Sequence, residues 1–173
     1  MWVPSALRTP VRLTSGVRLM ENNQLIEPAD LWECDGSLRD VYIDKTDMRD
    51  WSALFEVARR NPYAYTFAGA PRELPSPQSI FDNRDGSHLL MVNIGNASIN
   101  CHFFIPEEIE LDIDPRQVTD PATHELILNF LAELSSRVGK ELFITAENSP
   151  EAVYLRFSPA PASWTSYQPK YEQ

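Results

Sequence analysis

The sequence predicts an α+β fold, a mainly antiparallel sheet with two helices packed on one face. Three observations carry this expectation. Tight-turn dipeptides, Asp35-Gly36 and Gly95-Asn96, separate short apolar runs as in hairpins and meanders. Two segments repeat apolar residues at helical spacing and carry capping residues at their ends. Strands and helices do not alternate regularly, which disfavours a doubly wound parallel sheet.

The elements follow in chain order. Residues 1–30 read as a basic, largely irregular arm, with Arg8, Arg12 and Arg18 and four prolines or glycines, Pro4, Pro10, Gly16 and Pro28. Residues 31–34 and 37–43 then read as a hairpin across Asp35-Gly36, with Trp32, Val41 and Ile43 on its core side. Asp47 is placed to cap a first helix, in which Met48, Trp51, Leu54, Phe55 and Ala58 form one stripe before Asn61-Pro62 stops it.

Alternation at residues 63–67 predicts a strand, residues 69–77 a loop, and Ile80-Phe81 the start of a further strand. A meander follows, with strands at 88–94, 97–104 and 108–114. Asp120-Pro121 opens a second helix and Gly139 closes it. Leu126, Ile127, Phe130, Leu131, Leu134 and Val138 supply its apolar stripe. Strands at 141–146 and 151–157 complete a single domain over 31–157, and residues 158–173 read as a Pro- and aromatic-rich tail in an extended arm.

Composition bounds the function classes. The apolar fraction of 43% suffices for a core, and no run reaches the roughly 18 apolar residues of a membrane span. Trp2, Pro4, Arg8 and Pro10 interrupt any signal-peptide core, so the expected location is cytoplasmic, with no membrane contact. A net charge of -10 disfavours nucleic acid, whose phosphates call for a basic stripe. Cys34 and Cys101 are too few for a disulfide framework and are expected as reduced thiols.

No motif announces chemistry. His88, His102 and His124 belong to no metal-ligating pattern. His88 and His102 are expected close together at the ends of adjacent strands, but Cys101 and His102 point to opposite faces, so no zinc site is assigned. Ser98 and His102 lie about 13 Å apart along one strand, too far for proton transfer. Cys34 has no neighbouring cation to activate it. Neither a catalytic residue, a metal site nor a cofactor is expected, although an enzyme whose site is dispersed beyond any motif stays open.

The distinctive feature is the segment Glu108-Ile109-Glu110-Leu111-Asp112-Ile113-Asp114. Strict alternation turns Ile109, Leu111 and Ile113 to the core and aims Glu108, Glu110, Asp112 and Asp114 the other way, about 6 to 7 Å apart. That spacing falls within the glycosidase range, but such enzymes need two unlike carboxylate environments in a cleft. A solvated outer face is one account. The other is an acidic docking surface for a basic protein, broadened by Asp44, Asp47 and Asp50. Trp32 and Trp51 are expected in the core, whereas Trp164, outside the periodic elements, is the candidate for a contact with a partner or a second copy.

The segment from Trp32 to Ile43, followed by Thr46 to Trp51, resembles small bacterial immunity-type proteins that accompany polymorphic, contact-delivered toxins. The resemblance implies a non-enzymatic protein that blocks a toxin by binding it. A structural protein that dimerises through its terminal arms is the alternative.

Overall fold

The computed structural model describes residues 26–167; the basic residues Arg8, Arg12 and Arg18 and the last part of the tail lie outside them. A nine-stranded antiparallel sheet carries helices on one face. In chain order the elements are α1 (Pro28–Leu31), β1 (Arg39–Asp44), α2 (Met48–Ala58), β2 (Tyr63–Phe67), β3 (Ala70–Arg72), α3 (Pro77–Asp82), β4 (His88–Ile94), β5 (Ala97–His102), β6 (Glu108–Ile113), α4 (Pro121–Val138), β7 (Leu142–Ala146), β8 (Ser149–Pro159) and β9 (Ala162–Ser166). The strands lie in the order β3-β2-β4-β5-β6-β1-β7-β8-β9.

The two expected helices form where local chemistry specifies them. Asp47 and Asp50 make a reciprocal capping box at the start of α2. The Asp120 carboxylate accepts the Thr123 N–H at 2.8 Å, Pro121 takes the first position of α4, and Gly139 ends it at φ 72°. The two helices pack against each other and are tied by ion pairs Lys140–Asp50 and Arg60–Glu133. Buried side chains from all four helices, among them Leu31, Trp51, Ile80 and Leu131, join one core with Val41, Ile99, Leu111 and Ile144 of the sheet. The α4 stripe is narrower than expected, because Leu126 is 49% exposed.

Four expected elements differ. Residues 31–34 are not a strand: β1 pairs with β6 on one side and β7 on the other, leaving no edge for a hairpin partner. The segment instead makes the short α1 and then a loop, whose carbonyls are gathered by Arg39. That side chain, 1% exposed, donates to the carbonyls of Leu31 at 2.7 Å and Glu33 at 3.0 Å, and to the Asp35 carboxylate at 3.3 Å. Trp32 is nevertheless buried in the core, as is Trp51.

Ile80 and Phe81 lie in a helix, α3, because Ser76 caps it and Pro77 suits its first turn. Within the expected 69–77 loop, Ala70–Arg72 forms the short edge strand β3. The tail from Ser158 continues β8 and returns as β9 rather than extending as an arm.

Candidate functional site

The acidic segment forms β6, in the middle of the sheet. Ile109, Leu111 and Ile113 are buried on the helix face, so Glu108, Glu110 and Asp112 belong to the opposite face. On this face Asp44 is exposed and Glu108 and Glu110 partly so, whereas Asp40, Tyr42 and Asp112 are buried. Pairing with β1 sets Asp40 opposite Asp112, Tyr42 opposite Glu110 and Asp44 opposite Glu108. On the other flank β5 sets Asn100 opposite Asp112 and His102 opposite Glu110. Like charges thus sit directly across from each other at two positions, an arrangement that costs stability.

The carboxylates on this face differ in what they touch. Asp112 accepts from Asn100 Nδ2 at 2.8 Å and lies 2.6 Å from His102 Nε2. Asp40 accepts from the Asn148 N–H at 2.7 Å and from the Tyr42 hydroxyl at 3.1 Å. Burial raises the Asp40 carboxyl above its ordinary range despite those bonds. Glu110 is raised by partial burial and then by the charges of Asp40 and Glu108. Glu108 is raised by partial burial and then by Asp44. The His102 imidazole is raised chiefly by its hydrogen bond to Asp112.

The remaining expected acids are used elsewhere. Asp114 lies just past the end of β6, where Arg116 Nη2 and Nε reach it at 2.7 and 3.0 Å and hold its carboxyl below the usual range. Asp47 caps α2 and binds Arg49 at 2.8 Å, while Asp50 pairs with Lys140. Of the three acids from the α2 region, only Asp44 joins the open face.

Among the described residues no lysine or arginine forms an ion pair with Asp40, Asp44, Glu108 or Glu110. Among the described residues, Arg39, Arg49, Arg60, Arg116, Arg137, Lys140 and Arg156 pair with acids outside this set.

Trp164 is not part of the same surface. It pairs with Phe157 across β8 and β9, with ring centroids 5.1 Å apart, and is half-buried against the core side of the sheet. Three strands, β1, β7 and β8, separate β9 from β6.

The expected proximity of His88 and His102 does not hold. The turn at Gly95-Asn96 pairs Ile94 with Ala97, which brings Leu89 opposite His102. His88 is turned to the buried face, where the Tyr65 hydroxyl meets its Nδ1 at 2.5 Å and the Asn83 carbonyl its Nε2 at 2.7 Å. Cys101 is also buried there, and burial pushes its thiol well up; Cys34 is exposed. Ser98 bonds Asn93 at 2.8 Å, away from any imidazole. His102 and Asp112 have the geometry of an oriented acid–base pair, but no nucleophile stands at the other ring nitrogen among the hydrogen bonds of the described residues. A shallow cavity of about 230 Å³ beside Trp32 and His124 is smaller than usual ligand pockets.

Sequence reasoning overlooked Asp40, Tyr42 and His102 as members of the acidic face. The signal was present in β1, since placing Val41 and Ile43 in the core assigns Asp40, Tyr42 and Asp44 to the far side by alternation. The chain matches no protein-family profile, no curated protein and no solved structure.

Proposed function

We propose that this protein is a non-enzymatic binding module that docks a basic protein on the open face of its sheet, in the manner of an immunity protein neutralising a basic toxin. The observation that supports this reading is the set Asp44, Glu108 and Glu110, exposed or partly exposed on adjacent central strands without an Arg or Lys counter-ion among the described residues, with the buried Asp40 carboxylate behind them. A cationic partner would relieve their mutual repulsion and be steered to them from a distance. Of the acids expected at the site, Glu108 and Glu110 are the available ones; Asp112 acts through His102, and Asp114 is already paired with Arg116.

The test is affinity capture from the native lysate at low salt, repeated with the double variant Glu108→Lys and Glu110→Lys. A basic protein retained by the natural chain, released by moderate salt and lost with the variant agrees with the reading. Retention indifferent to both salt and charge reversal sinks it.

A second reading, self-association, is favoured by β9. This edge strand, Ala162–Ser166, carries no charge and no proline, whereas the opposite edge β3 contains Pro71 and Arg72. Unguarded edges pair readily. A sedimentation mass of one chain, unaltered by Trp164→Lys, removes this reading.

A further inference from the structure

Phe104 and Ile105 stand out on the surface, adjacent in the chain and 54% and 48% exposed. They follow β5 one residue past its end, and the Phe104 ring stacks on His102 at 5.3 Å with 13° between planes. Because His102 lies opposite Glu110, the stack places an apolar ring at the border of the acidic face.

The backbone that carries this pair is braced from several sides. Arg84 donates to the carbonyls of Phe103 at 2.8 Å and Phe104 at 2.9 Å. The Pro106 carbonyl accepts from Thr46 Oγ1 at 2.9 Å and Trp51 Nε1 at 2.8 Å, and the Glu107 carbonyl accepts the Thr46 N–H at 2.8 Å. Phe103 anchors the segment in the core against Trp51, with centroids 5.2 Å apart. Apolar side chains on a frame ordered in advance lose little freedom on binding, which suits an interface anchor.

We infer that Phe104 and Ile105 are the apolar anchor of the docking face, and that its partner is a cationic amphipathic protein segment, apolar residues flanked by Lys or Arg. The inference rests on the protein-binding reading and adds to it the kind of sequence that is recognised. Charge alone draws a partner in; the apolar pair selects among basic surfaces.

Two synthetic peptides of equal length and equal lysine count test it, one with leucine and one with serine at the remaining positions. Binding to the full chain is read by fluorescence anisotropy at low salt. The leucine peptide binds about tenfold tighter, a difference of about 1.4 kcal/mol. The double variant Phe104→Ser with Ile105→Ser abolishes that gain and leaves the serine peptide unchanged. Leu126→Ser, which removes an exposed apolar side chain from α4, leaves the gain intact.

Equal affinity of the two peptides, a gain that survives Phe104→Ser with Ile105→Ser, or a gain erased by Leu126→Ser overturns the anchor. If the serine peptide binds and is lost with Glu108→Lys and Glu110→Lys, the acidic face stands even when the anchor falls. A serine peptide that binds indifferently to that charge reversal, or neither peptide binding at all, overturns both.

Discussion

His102 Nε2 and Asp112 Oδ2 approach to 2.6 Å across β5 and β6, joining an imidazole to one end of a carboxylate row. This pair moderates the charge of the open face. Its worth depends on pH, because only the protonated ring is a full counter-ion.

The first prediction concerns that pair. The Asp112 hydrogen bond raises the folded-state value of His102 above the ordinary 6.5. Its stabilising contribution is therefore complete below 6.5 and disappears as pH rises through the folded-state value. The loss of Tm on His102→Gln is expected to be larger at pH 6 than at pH 9. An NMR titration in which Asp112→Asn leaves the His102 midpoint unmoved contradicts the assignment.

The neighbouring carboxylates have the opposite consequence from the usual acidic pair. Asp40, Glu108 and Glu110 are raised, first by burial and then by neighbouring acids. The native state binds their protons more tightly than the unfolded chain does. Stability contributed by the protonated forms falls as pH rises from the ordinary carboxylate values through the raised ones. Glu110→Gln is expected to raise Tm at pH 7 and to have little effect near pH 3, where both states are protonated. Equal effects at the two pH values in thermal denaturation count against the electrostatic account.

Arg39 yields a third prediction. Replacing it with Met removes the donors from the Leu31 and Glu33 carbonyls while keeping an apolar stem. The expected cost is at least about 2 kcal/mol in urea unfolding, with Lys giving incomplete rescue because it lacks the fork of donors. The Trp32 indole, which donates to His124 Nδ1 at 2.9 Å, should lose its fixed position, seen as a shift of the His124 titration. A variant as stable as the natural chain refutes the role given to Arg39.

Two glycines give a comparative test. Gly95 has φ +59°, and a Cβ there falls 2.7 Å from Thr123 Oγ1; Gly139 has φ +72° with open space around it. Gly139→Ala is expected to cost about 1 kcal/mol from backbone conformation alone. Gly95→Ala should cost more, since it also displaces the first turn of α4. Urea denaturation that ranks them the other way is incompatible with this packing.

The contrast between these elements explains what was legible in the sequence. Asp47, Asp120, Pro121 and Gly139 act within a turn of their own position, so α2 and α4 could be read locally. The alternation from Glu108 to Ile113 likewise assigned each side chain to a face. What could not be read was long-range: that β1 fills the gap between β6 and β7, or that Arg39 draws a loop over the sheet end. A hairpin at Asp35-Gly36 satisfied every local rule and lost because both sides of β1 were taken. At the acidic face, the fork of Arg116 on Asp114 lies two residues away and was readable, whereas the His102–Asp112 bond depended on register between strands.

The central position of β1 also bears on the order of assembly during synthesis. Strands β2, β4 and β5 meet sequence-near neighbours and can pair soon after they emerge. For β1 the partners begin at Glu108 and Leu142, so its two bare edges must wait for most of the chain to be translated. The first strand of the sheet among the described residues is thus among the last to be closed in.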